Sequence, residues 1–126
     1  NSAASGDGGA IQLDGASLTS AGCSFSQNTA NGDGGAIRAH TASTLALNSS
    51  AFTENVATAG GGGMHIEFSC TWTTADSLTF VGNSAGVMGG AINMGVDVTF
   101  TTSCNFTGNT ATSDGGALQL SAGGSA

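Results

Sequence analysis

Five short stretches of the chain alternate apolar and polar residues in the same way: AIQLD, AIRAH, GMHIE, AINMG and ALQLS. Ile11, Ile37, Met64, Ile92 and Leu118 fall in one apolar column. Leu13, Ala39, Ile66, Met94 and Leu120 fall in a second, two residues on. Between the columns stand Gln12, Arg38, His65, Asn93 and Gln119. A period of two with one apolar face predicts a half-buried strand, five times over. A second strand is predicted where Cys23 and Phe25, Leu78 and Phe80, and Cys104 and Phe106 repeat the alternation. No window carries a 3.6-residue period, and glycine interrupts every candidate, so the pattern excludes helix.

Each of the five strands follows a glycine pair: Gly8-Gly9, Gly34-Gly35, Gly61-Gly62, Gly89-Gly90 and Gly115-Gly116, spaced 26, 27, 28 and 26 residues apart. In phase with them runs FxxN, carried by Phe25 and Asn28, Phe52 and Asn55, Phe80 and Asn83, and Phe106 and Asn109. Two markers sharing one period identify a solenoid repeat. Strands of ~4–6 residues separated by Gly, Asn, Asp and Ser fit a coil with two or three strands and tight corners. Equivalent strands would pair in parallel ~4.8 Å apart. The expected fold is therefore all-β, a right-handed parallel β-helix of about 4.5 coils of 26–28 residues, the hand following from the bias of parallel crossovers. The coils are expected near 6–31, 32–59, 60–87 and 88–113, with a partial coil at 114–126, in one domain.

The repeated residues have readable structural roles. Glycine supplies positive φ without steric cost and lets stacked backbones approach. Asp7, Asp33 and Asp114 precede a glycine pair and can bond locally to backbone N–H groups. Asn at the FxxN corner tolerates the left-handed conformation, and its amide can bond from coil to coil. Phe fills the interior as a stack.

Composition narrows function by exclusion. The chain has 126 residues, 22 Gly, no Pro and a net charge of −7, with Arg38 as its sole basic residue besides two His. One Arg cannot neutralise a phosphate backbone, which excludes nucleic acid as a partner. Anionic membrane surfaces are disfavoured on the same ground, and no apolar run approaches a membrane span. Ser and Thr make up about a quarter of the residues and hydrate a nearly uncharged surface.

The combination of GGA and a following Ile or Leu with FxxN, at this period, resembles the repeat of chlamydial polymorphic outer membrane proteins. Five glycine-pair copies and four FxxN copies spread the resemblance over almost the whole chain. It implies a β-helix displayed outside the cell and associated with adhesion. The C-terminal translocation barrel of that family is not in this sequence.

Candidate chemistry is thin. Arg38, His40, His65 and Glu67 share an outward face, and adjacent coils would set His40 near Glu67 and Arg38 near His65. Two imidazoles and a carboxylate can bind a metal, but the spacing does not spell a ligand set, and a solvated polar face is the expected reading. Asp7, Asp33 and Asp114 lack a calcium-binding nonapeptide pattern and read as corner caps, with no cofactor implied. Cys23 and Cys104 share a column three coils apart, ~14 Å, too far for a disulfide, and read as buried small hydrophobes. Cys70 has no evident partner. Asn48 in NSS and Asn105 in NFT satisfy the N-glycosylation sequon, and Asn105 should face solvent. Thr71–Thr74 and Thr99–Thr102 hint at the threonine ladders of ice-binding solenoids, but in two coils only.

Polysaccharide lyases and hydrolases use this fold, but they need basic groups or clustered carboxylates that this sequence lacks, so the chain is not expected to be an enzyme. Neither end shows a polar cap, so the expected partners are copies of the chain end to end or flanking repeats of a longer array, with glycans as a further contact. The expected role is an extracellular or cell-surface structural and adhesive solenoid. A carbohydrate-binding or carbohydrate-active β-helix is the alternative.

Overall fold

The computed structural model describes residues 1–101 and 103–120. Thr102 of the second threonine run, and the part of the fifth coil beyond Leu120, lie outside the described residues. The described chain holds strands and no helix. Four parallel sheets run the length of the stack.

The first, the GG sheet, takes Ile11–Asp14, Ile37–His40, Met64–Ile66, Ile92–Met94 and Leu118–Leu120, neighbours in chain order. Its register sets Ile37 on Ile11, Met64 on Ile37, Ile92 on Met64 and Leu118 on Ile92. The repeat period is therefore the structural pitch. The second, the long sheet, takes Ser17–Ala21, Thr44–Asn48, Thr71–Asp76 and Phe100–Thr101. The third, the Phe sheet, takes Ser24–Ser26, Ala51–Thr53, Thr79–Val81 and Asn105–Thr107. The fourth, the short sheet, takes Ser2–Ala3, Thr29–Ala30, Val56–Ala57, Ser84–Ala85 and Thr110–Ala111.

A complete coil thus carries four strands rather than two or three. The fourth is only two residues long, too short for alternation to register in sequence. It forms because the two residues after each ladder Asn lie extended against their counterparts in the next coil. In the long sheet an extra residue enters at Thr73, where the register shifts between Trp72 and Thr74. The Trp72 indole N–H donates to Thr74 O (2.6 Å), and the Thr73 hydroxyl donates to Leu45 O (3.0 Å), so the bulge is hydrogen-bonded.

The inward side chains make one continuous core. Ile37, Leu45, Leu47, Phe52, Met64, Ile66, Leu78, Phe80 and Ile92 are fully buried. Phe25, Phe52, Phe80 and Phe106 lie in one file, with ring centroids 4.9, 4.7 and 5.1 Å apart and planes within 10° of parallel. That separation is one strand spacing, because each ring sits on a residue paired in register with the next. Ile11, Leu18 and Phe25 at one end of the stack, and Phe100, Cys104, Phe106 and Leu118 at the other, are only partly covered.

The two glycines of a pair do different work. Gly34 has φ +69°, a left-handed corner that side chains disfavour. Gly35 does not. A Cβ on Gly35 would overlap Gly62 O in the next coil and lie 2.7 Å from Val56 N, on the stretch that leads into that coil. The first glycine turns the chain, and the second lets neighbouring coils touch.

Candidate functional site

The corner after each Phe is held by a ladder of amides. The Asn28 backbone N–H and Nδ2 both donate to Asn55 Oδ1, at 3.0 and 2.9 Å. Asn55 repeats this toward Asn83, and Asn83 toward Asn109. The second amide proton goes back a coil: Asn55 Nδ2 donates to Phe25 O, Asn83 Nδ2 to Phe52 O and Asn109 Nδ2 to Phe80 O, each 2.9 Å. Asn55 and Asn83 are fully buried, and every amide atom they carry is used. This is a structural column, closed to solvent.

The polar chemistry lies outside, on the GG sheet and the corner that feeds it. Arg38 pairs in register with His65, yet its guanidinium turns to carboxylates. Nη2 donates to Glu67 Oε1 at 2.7 Å, and Nε lies 3.6 Å from Asp7 Oδ2 and 3.9 Å from Asp33 Oδ2. Only 11% of the Arg38 side chain is exposed. The aspartates do not cap locally as the sequence suggested. Asp7 Oδ1 accepts the Asp33 N–H (2.8 Å), and Asp33 Oδ1 accepts the Gly60 N–H (2.7 Å), so each caps the next coil. The reason is the solenoid pitch, which sets the next corner N–H above each carboxylate.

His65 Nδ1 stands 3.3 Å from Asp33 Oδ1 and 3.3 Å from Asn93 Nδ2. Burial works against ionisation of Asp33, but the His65 imidazole, the Gly60 N–H and Arg38 outweigh it and hold the carboxyl below its ordinary range. Glu67 is also held low, chiefly by the hydrogen bond from Arg38. His40 is turned elsewhere: Nδ1 contacts Thr41 Oγ1 (2.8 Å), Nε2 contacts Gln12 Nε2 (3.2 Å), and Asp14 lies at 3.9 Å. The face therefore brings Arg38, Asp7, Asp33, Glu67 and His65 together, while His40 makes its ring contacts elsewhere and reaches Glu67 only electrostatically. Among the described residues no three His, Cys, Asp or Glu side chains converge as a metal set. Asn93, which sequence reasoning placed only as a polar spacer, is 5% exposed and directed at this cluster. Its register with His65 and its position above Gly60 were the available signal.

The remaining candidates are scattered. Cys23 is exposed, contrary to its reading as a buried hydrophobe, and its backbone N–H donates to Ser50 Oγ in the next coil. Cys104 is half-buried, and its sulfur accepts the Leu78 N–H at 3.3 Å. Cys70 is buried, and none of the three is in a disulfide. Asn48 and Asn105 are both exposed. Ser50, the third residue of the Asn48 sequon, is buried and bonds to Asn48 O and the Cys23 N–H.

Residues 22–40, 77–94 and 103–121 each match the Chlamydia polymorphic membrane protein repeat. Three stretches of the chain are therefore similar to that repeat. Each match spans an FxxN corner and the GG strand after it, so what the repeat encodes is the Phe file, the amide ladder and the glycine corner. No curated protein and no solved structure matches the chain.

Proposed function

We propose that the chain is a stretch of a surface-displayed solenoid that acts as a structural and adhesive rod outside the cell. The observation that carries this is the unbroken cross-coil bonding: four parallel ladders, an amide column and a ring file all run along one axis. Separating two coils breaks all of them together, which gives a stiff element along that axis. The repeat it shares with a family of membrane proteins supports display at a cell surface. The apolar rims at both ends, Phe25 at one and Phe106 at the other, are complementary to further coils of the same repeat. Those coils come from flanking sequence or from a second copy.

Negative-stain microscopy of the purified chain, with fibre diffraction of concentrated material, tests this reading. The expected result is rods or end-to-end fibres with a meridional reflection near ~4.8 Å. Compact monodisperse particles that bind oligosaccharides would replace it with the carbohydrate-binding alternative.

A further inference from the structure

Around Gly60 three side-chain groups converge on one empty point. The outward residues of the GG sheet reach back one coil to the aspartate column, Arg38 toward Asp7 and His65 toward Asp33. Asn93 reaches back in the same way, but the residue it meets is Gly60, which has no side chain. The place where a Gly60 Cβ would sit lies 2.5 Å from Asn93 Nδ2, 3.2 Å from Asp33 Oδ1 and 3.3 Å from His65 Nδ1.

These groups are not satisfied by one another. His65 Nδ1 cannot both donate to Asp33 Oδ1 and accept from Asn93 Nδ2. Asn93 Oδ1 is buried without a hydrogen-bond partner, a costly state for an amide oxygen. A half-turn of the amide exchanges its two ends and brings Oδ1 to the cradle. Three lone pairs, from a carboxylate, an imidazole and an amide, then face one centre.

We propose that this cradle binds a divalent first-row cation of the zinc class through Asp33 Oδ1, His65 Nδ1 and Asn93 Oδ1. The spacing fits. Metal–ligand bonds of about 2.0–2.1 Å in tetrahedral geometry set donors ~3.3 Å apart, and both measured separations from His65 Nδ1 are 3.3 Å. The charge fits too. Asp7, Asp33 and Glu67 against Arg38 leave two negative charges, and Arg38 faces the other oxygen of Asp33. One imidazole with two oxygens suits a borderline cation, whereas calcium requires six or more oxygens. Asp33 and His65 retain some exposure, which admits the ion, and solvent completes the coordination.

The test is titration of the purified chain with zinc chloride, read by calorimetry and thermal melting. The wild type takes up about one equivalent, and saturating zinc raises Tm by ~3 °C or more. His65→Ala removes a ligand. Gly60→Ala changes no ligand residue but fills the cradle, setting a methyl 2.5 Å from the end of the Asn93 side chain and pushing that ligand out of it. Both variants lose the zinc-dependent shift while their metal-free melting shows a folded protein. His40→Ala and Cys23→Ser keep it. The proposal is overturned by a wild type without a shift, or by zinc binding that survives in both His65→Ala and Gly60→Ala, which would place the ion on a thiol or on His40.

Discussion

Replacing Asn55 by alanine removes an amide that serves three consecutive coils. In the native chain Asn55 Oδ1 accepts two bonds from Asn28, and Nδ2 donates to Phe25 O and Asn83 Oδ1. Asn83 Oδ1 keeps its bond from the Asn55 backbone N–H in the variant. The Asn28 N–H and the Asn28 Nδ2 lose their partner at a site closed to water, and Phe25 O keeps only its ladder bond. Each orphaned buried group costs about 1–3 kcal/mol. With two orphaned groups, Asn55→Ala should destabilise the chain by ~3 kcal/mol. Asn109→Ala, at a half-exposed rung where water substitutes, should cost ~1–2 kcal/mol. Urea unfolding followed by fluorescence of Trp72, the sole and buried Trp, reads both values. Asn55→Asp adds a sign. Its carboxylate cannot donate to Phe25 O or Asn83 Oδ1, so burial raises its folded pKa above the unfolded value near ~3.9. The contribution of this group is then fully present below that value and is lost as pH rises through the folded pKa, so the gap to wild type widens with pH. An Asn55→Ala chain within ~1 kcal/mol of wild type, or an Asn55→Asp chain indifferent to pH, would refute the reading of the ladder as a buried, fully used column.

Phe80 is stacked on both sides, so Phe80→Ala should cost ~3–5 kcal/mol by urea unfolding, and Phe25→Ala, with one ring neighbour, clearly less. Gly35→Ala drives a Cβ into the backbone of the adjacent coil and should cost ~3 kcal/mol or more, with loss of the far-UV strand signal on mild heating. Asp33 and Glu67 both have lowered folded pKa values, so their contribution is present above the unfolded carboxylate pKa and is lost as pH falls through the folded values. The urea midpoint should therefore drop below about pH 4, and Asp33→Asn with Glu67→Gln should flatten that drop; parallel curves would exclude these two groups as its source.

The period carried most of the fold. Glycine pairs and FxxN recur at the structural pitch because every coil must turn the same corner over the same neighbour, and a shared constraint leaves a shared letter. The long sheet leaves no such mark: SLTSA, TLALN and TWTTAD occupy one sheet with different patterns, since only some of its positions face inward in each coil. The outward face was legible in membership but not in pairing. Arg38 and His65 are adjacent by register, yet a long side chain is free to swing past its neighbour, and the guanidinium chose Glu67. The vacancy at Gly60 is invisible to a repeat alignment, which records a missing aspartate and not the three groups left facing the gap.

The amide column has a sense. From Asn28 to Asn109 each Asn oxygen accepts only from the rung before it, and each backbone N–H with one amide proton donates to the rung after it, while the second amide proton turns back to a Phe carbonyl. The bond dipoles therefore add instead of cancelling, and the solenoid has a head and a tail. A coil joining in the opposite direction would set lone pair against lone pair or proton against proton. A further coil of this repeat would accordingly fit each end in one direction only, and the two ends differ chemically, one offering amide oxygens and the other amide protons.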